Sequence, residues 1–196
     1  MNRSALVILP EGFEEIEAIV PINLMRRARI DVTVTSREMT RAVRGRSDII
    51  VQADCLLNAV IEQSSIYDAL VLPGGPGIVR LQQDARVHQL VEQHAAAGRL
   101  IAAICAAPLV LHDLGLLRGR RYTAHFSVSE TLPERVKGAD VIVDRTILTA
   151  SGPGAAVAFG LTIIAQLLDS SAAEKVAAAI DCPKALGIGS NPSQGK

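Results

Sequence analysis

The chain has 196 residues with 20 Lys and Arg against 20 Asp and Glu, so its formal net charge is zero; 49% of its residues are hydrophobic, 20% charged and 3% aromatic. A chain of this length buries about 70% of its unfolded surface, enough for one domain with its own core. This balance fits neither intrinsic disorder nor a strongly basic nucleic-acid footprint, and two Tyr, three Phe and no Trp are too few rings for a single-strand stacking platform.

From the N-terminus, an apolar run at 5–9 ends at Pro10 and an acidic cluster, too short for a signal-peptide core. Residues 14–29 then follow a helical period through Ile16, Ile19, Val20 and Leu24. Apolar runs of strand length recur at 32–35, 49–51, 69–72 and 100–104, most of them without polar alternation, as in parallel strands covered on both faces. Between the last two, Val87, Leu90, Val91 and Ala95 give 84–98 a helical period, and a further helical stretch follows Pro108 through Leu114. Runs at 141–143 and 147–149 flank Asp144-Arg145, which reads as a hairpin turn beside the parallel sheet. The last helical patterns are 155–168, opened by Gly152-Pro153-Gly154, and 172–180, with Ser170 or Ser171 as the expected cap. The alternation predicts an α/β fold over 1–182, followed by a Pro-, Gly- and Ser-containing flexible tail at 183–196.

Three cysteines, Cys55, Cys105 and Cys182, are an odd number in a chain too large to need covalent staples, so reduced thiols are expected. The low-charge runs at 100–111 and 152–168 fall short of the ~20 apolar residues of a membrane span. A soluble cytoplasmic protein without membrane partners is the expectation.

Ligands of open α/β sheets bind beyond the carboxyl ends of the strands, which here are followed by Pro10 to Glu17, by Pro73-Gly74-Gly75-Pro76-Gly77 and by Cys105-Ala106-Ala107-Pro108. A thiol at a strand-to-helix turn faces unpaired amide N–H groups and the positive end of a helix, and both lower its pKa. Cys105 is therefore either a nucleophile on a tight elbow or one more small apolar residue at a strand end. Glu17 is either a first-turn acid favoured by the helix dipole or a carboxyl held in an apolar site, where it would stay protonated beside a thiolate and move protons. Glu14 and Glu15 read as ordinary first-turn acids. Gly74 and Gly75 suit a phosphate cradle or a plain turn, but the Walker and dinucleotide patterns are absent. His88 and His94 read as solvated or core-edge residues, His125 as a loop residue within reach of Cys105, and no pair of histidines has metal-ligand spacing. The arginine clusters at 37, 41, 44 and 46 and at 118, 120 and 121 read as solvated faces, with anion recognition left open.

Four segments together, ALVILPEGFEEIEA (5–18), ALVLPGG (69–75), IAAICAAP (101–108) and LTASGPGAA (148–156), resemble the ThiJ/PfpI superfamily, in the branch of the parkinsonism-associated deglycase. The resemblance spans nearly everything but the tail. It implies a flavodoxin-like three-layer α/β sandwich with a mostly parallel sheet and a β-hairpin, and a homodimer that uses neither metal nor organic cofactor. It also implies that Cys105 is the nucleophile, that Glu17 is the acid in contact with it, and that Gly75 and Ala106 supply oxyanion amides beside Gly74. His125 matches a histidine near the thiol. The peptidase-like branch carries His directly after the cysteine; Ala106 stands there in this chain, against proteolysis. Two departures are Asn23, where relatives commonly carry Asp and proton sharing around Glu17 is expected to change, and Ser151, where they carry Arg and anion binding near the thiol is expected to weaken. The implied activity is a glutathione-independent glyoxalase or deglycase acting on a small reactive carbonyl or a glycated protein. The alternative is an oxidative-stress sensor or redox-regulated chaperone that uses the same cysteine.

Overall fold

The apolar run near the N-terminus forms β1 (Ser4–Leu9), whose alternate side chains divide between two cores. The computed structural model describes residues 3–182, so the expected tail at 183–196 lies outside the described residues. After β1 come α1 (Glu15–Arg27), β2 (Asp31–Ser36), β3 (Ala42–Arg44), β4 (Ile50–Gln52), β5 (Cys55–Leu56), α2 (Leu57–Gln63), β6 (Ala69–Leu72), α3 (Ile78–Gln82) and α4 (Ala85–Ala96). The second half runs through β7 (Leu100–Ile104), α5 (Pro108–Asp113), β8 (Val141–Asp144), β9 (Ile147–Ala150), α6 (Ala156–Leu167) and α7 (Ser170–Ala179).

Seven strands form one sheet in the order β5-β2-β1-β6-β7-β9-β8, parallel throughout except that β8 runs antiparallel to β9 across the Asp144-Arg145 turn. Successive strand side chains point to opposite faces. Ala5, Val7 and Leu9 therefore pack with Met25 of α1 and with Phe159 and Ile163 of α6, while Leu6 and Ile8 pack with Leu81, Leu90 and Val110 beneath α3, α4 and α5. Coverage on both sides is why residues 5–9 of β1 and all of β6 and β7 are apolar in succession rather than at alternate positions. Gly160 lets α6 approach α1 closely, since a Cβ there would stand 2.9 Å from Leu24 Cδ1 and 3.0 Å from Pro21 Cα.

This is the flavodoxin-like three-layer arrangement, and strand order reverses between β1 and β6: the chain builds outward through β2 and β5, then returns to continue through β6, β7 and β9. The loops beyond Leu9 and Leu72 meet at that switch point, where Glu14 N–H donates to Gly74 O (3.0 Å) and Gly77 N–H to Gly12 O (3.0 Å), next to the end of β7 at Ile104.

Several local expectations change. The run at 49–51 is not a covered strand of the main sheet: β4 pairs antiparallel with β3 in a separate two-stranded ribbon, with Ile49 and Ile50 56% and 55% exposed. The ribbon instead braces the loop after β1, where Gly12 N–H donates to Arg44 O (2.8 Å), Arg46 N–H to Phe13 O (2.9 Å) and Ser47 N–H to Glu15 Oε1 (2.7 Å). Helix α7 is capped by Asp169, which accepts from Ala172 N–H at 2.8 Å, rather than by Ser170 or Ser171. His94 is fully buried rather than solvated or at the core edge. Its Nε2 accepts from Tyr67 N–H (3.3 Å), so the proton sits on Nδ1 and donates to Leu90 O (2.7 Å); burial pushes its pKa down and keeps the ring neutral.

Candidate active site

Only Cys105, Ala106 and Ala107 separate the end of β7 from Pro108 at the start of α5, so the chain must reverse within three residues. Cys105 absorbs the reversal with φ of 66°, a left-handed conformation that costs a non-glycine residue about 1–3 kcal/mol. Tertiary bonds on both sides hold it there: its N–H donates to Ala150 O (2.9 Å), and its carbonyl accepts from His125 N–H (2.9 Å). The thiol is half-buried at the sheet's carboxyl edge.

Glu17 reaches the same point from the first turn of α1. Glu14 caps that turn, its Oε2 accepting from Glu17 N–H at 2.8 Å, which fixes where the Glu17 side chain leaves the helix. Glu17 is 0% exposed, and its Oε2 accepts from Gly74 N–H at 2.9 Å. Its Oε1 is buried without a well-aligned hydrogen-bond partner among the described residues, and the Cys105 thiol is the donor in contact with the carboxyl. Gly74 is the residue that makes room: a Cβ there would stand 2.7 Å from Cys105 Cβ and 2.8 Å from Glu17 Oε2. Gly75, at φ +99°, turns its own amide toward the sulfur, and a Cβ on it would collide with Glu14 N at 2.6 Å.

The electrostatics correct the expected thiol pKa. Burial and then the neighbouring Glu17 carboxylate push Cys105 up to about 12, against the Ala106 and Gly75 amides, which favour the thiolate. Burial likewise lifts Glu17 to about 7, with the contact to Cys105 and the Gly74 N–H opposing it. The two acids therefore hold one proton between them above about pH 7, and the resting arrangement at high pH is carboxylate beside thiol.

A stability effect follows from the raised carboxyl. Between 4.5 and about 7 the folded state keeps a proton that the unfolded chain has released, so stability is full below 4.5 and falls as pH rises through about 7. The loss amounts to ~3 kcal/mol, and Glu17→Gln removes it. Denaturant titrations at pH 4.5 and pH 8 are expected to show a larger pH-dependent drop for wild type than for the variant by roughly that amount.

His125 contributes to the site through its backbone. Its imidazole bonds to Ser127, with Nδ1 2.9 Å from Oγ and accepting from Ser127 N–H at 3.3 Å, so the ring proton sits on Nε2. Burial, with the Arg135 and Arg46 guanidinium groups, holds its pKa down, making it a neutral N–H donor rather than a base. Asn23 does not reach Glu17; it lies on the exposed face of α1 and accepts from Arg27 Nε at 2.8 Å, so no altered proton sharing arises there. Ser151 and His125 line one cleft, together with Arg135 and the turn before α6. Glu14 and Glu15, expected to be ordinary first-turn acids, are both buried, and the negative charge of Glu14 adds to the upward push on Glu17. Among the described residues, no cluster of three His, Cys, Asp or Glu side chains is arranged to hold a metal ion, and no helix is long and apolar enough to cross a membrane.

A strained cysteine, a buried glutamate and two inward-facing amides are the parts expected from the resemblance. The model of the DJ-1/PfpI family matches residues 3–166. The chain belongs to the DJ-1/PfpI family. It is 36% identical over 181 residues to Protein dj-1beta of Drosophila melanogaster, covering 90% of this chain and 96% of that one. It is 32% identical over 172 residues to the glutathione-independent glyoxalase DJR-1.2 of Caenorhabditis elegans, covering 85% and 89%. Among solved structures of the family, oxidised Toxoplasma gondii DJ-1 superposes with a TM-score of 0.85 at 37% identity, covering 91% and 97%.

Proposed function

We propose that the chain is a cysteine-dependent, glutathione-independent glyoxalase acting on methylglyoxal-like 2-oxoaldehydes, with deglycation of their early adducts as the same chemistry. The observation that carries this reading is a fully buried carboxyl, fixed by the Gly74 N–H, in contact with a half-buried thiol beneath two amide donors, and burial lifts that carboxyl to about 7. A base titrating near neutrality is well matched to moving protons to and from sulfur and carbon. The glutathione-independent glyoxalase activity named for the nematode relative supports the assignment.

In this reaction the Glu17 carboxylate takes the thiol proton as Sγ bonds to the aldehyde carbon. The oxyanion that forms faces the Gly75 and Ala106 amides and takes the proton back from Glu17, giving a hemithioacetal and restoring the carboxylate. Glu17 next removes the hydrogen from that carbon, leaving an enediolate, and returns a proton to the adjacent carbon, so that the first becomes a thioester. Water cleaves the thioester, releasing lactate and restoring the thiol. Water is the only co-reactant, and no electrons leave the substrate. His125 is assigned to donate its Nε2–H to a substrate oxygen at the mouth.

The test is lactate formation from methylglyoxal by the purified protein without glutathione; no lactate above the buffer rate sinks the reading. Adduct breakdown that never outpaces spontaneous release of methylglyoxal removes the deglycase activity and leaves the glyoxalase. Gly74→Ala is expected to cut kcat/KM ~100-fold, because the added methyl displaces both Cys105 and Glu17 from contact. An unchanged kcat/KM would mean that the pair tolerates displacement.

Oxidation is the second reading, favoured by the half-buried thiol and by a Glu17 Oε1 that has no well-aligned partner among the described residues. Two equivalents of peroxide, each reduced to water, convert the thiol to a sulfinic acid, to which a protonated Glu17 donates. Peroxide titration followed by intact mass, in wild type and Cys105→Ser, tests whether the gain of two oxygens is confined to Cys105.

A further inference from the structure

A cleft of about 440 Å³, joined to the cysteine elbow through the His125 N–H bond to Cys105 O, is lined by His125, Arg135, Asp140, Ser151 and the Gly152 to Ala155 turn that opens α6. We propose that this cleft is an anion subsite in which Arg135 selects substrates bearing a carboxylate tail. The inference rests on the proposed glyoxalase reading for its substrate class, anionic 2-oxoaldehydes.

One peptide unit ties Arg135 to the nucleophile. The His125 N–H donates to Cys105 O at 2.9 Å, and the Ala124 carbonyl of the same peptide group receives Arg135 Nη1 at 3.5 Å. The guanidinium is thus held at the wall of the thiol's own elbow. Among the described residues its buried Nε has no hydrogen-bond partner and Arg135 makes no ion pair. This is unlike Arg3 and Arg99, which are paired with Asp68 at 3.2 and 3.0 Å. No carboxylate among the described residues therefore neutralises the guanidinium that borders the cleft, and an anion entering it would.

The opposite wall points to the same ligand. Helix α6 has 12 residues and starts on this cleft, and no side chain caps its N-terminus, so its positive end faces the space that Arg135 borders. His125 presents Nε2–H there as well, its ring packed against Gly152, where a Cβ would stand 3.1 Å from Cδ2. Asp140 is the opposing charge on the rim; it is exposed, and the contact it makes with this wall is through its backbone carbonyl, which accepts from Ser151 N–H at 2.9 Å. Three donors of different kinds therefore converge on one cleft that His125 joins to the nucleophile's elbow.

The test needs no turnover. Iodoacetate and iodoacetamide consume the same thiolate, so the ratio of their rates at Cys105 reports recruitment of the anion alone. Arg135→Gln is expected to lower the iodoacetate-to-iodoacetamide ratio about fivefold, Arg135→Lys to retain part of it, and high salt to abolish the difference. Ser151→Asp, which places a negative charge in the cleft, is expected to lower the ratio with Arg135 intact. A ratio unchanged by both Arg135→Gln and Ser151→Asp overturns the subsite, whether or not methylglyoxal is turned over. The matching kinetic result is a kcat/KM preference for 4,5-dioxopentanoate over methylglyoxal that shrinks in Arg135→Gln. If neither aldehyde reacts while the alkylation ratio responds, the anion subsite stands and the glyoxalase reading falls.

Discussion

Replacing Cys105 by serine is expected to lower kcat/KM for methylglyoxal by at least ~1,000-fold while leaving the fold intact. Serine is nearly isosteric and inherits the backbone bonds to Ala150 and His125 that hold the elbow at φ 66°, so the pocket keeps its shape. Its hydroxyl is a far weaker acid than a thiol, and a Glu17 carboxylate of pKa about 7 is too weak a base to take its proton to any useful extent. The alkoxide is also the poorer leaving group when the acyl intermediate is cleaved by water. Lactate assays with matched denaturation midpoints check the claim; a variant within tenfold of wild type would move the chemistry to another nucleophile. Neither Cys55 nor Cys182 compensates, since neither lies on this elbow.

The elbow was legible in the sequence because its cause is local. A continuous apolar strand, three small residues and a proline leave no other way to connect β7 to α5, and the two-sided core explains why β1, β6 and β7 read without alternation. The ribbon at β3 and β4 was illegible for the opposite reason. Its strands are three residues long and half-exposed, and its purpose, bracing the loop after β1, is visible only in bonds such as Gly12 to Arg44.

The acids divide along the same line. Glu17 stood out by position, but whether Glu14 and Glu15 were mere first-turn acids depended on burial by the ribbon and on caps that no spacing records. The depressed thiol pKa was the larger misjudgement. Position near a helix start argued for ionisation, yet α5 is only six residues long, and burial beside a carboxylate outweighs two amides. Arg135 carried no signal at all, because an unpaired Nε is a property of three-dimensional neighbours rather than of sequence.

Glu17→Gln is expected to separate thiol reactivity from catalysis, making Cys105 easier to alkylate while lowering turnover ~100- to 10,000-fold. Two of the three influences that raise the Cys105 pKa come from the Glu17 carboxylate, its charge and its hydrogen bond to the thiol. An amide removes the charge and offers an N–H donor to sulfur, so thiolate becomes more accessible, and iodoacetamide at pH 8 is expected to react ~10-fold faster or more. Turnover falls regardless, since glutamine can neither take the thiol proton nor carry one between adjacent carbons. In wild type the working base is the carboxylate, absent below about pH 7 and present above it, so kcat/KM rises with pH through about 7. Glu17→Gln is expected to lose that rise together with the rate. Slower alkylation with slower turnover would instead mean that Glu17 acts by stabilising the thiolate, and the direction of the alkylation change therefore decides whether its principal part in the reaction is that of base or of hydrogen-bond donor.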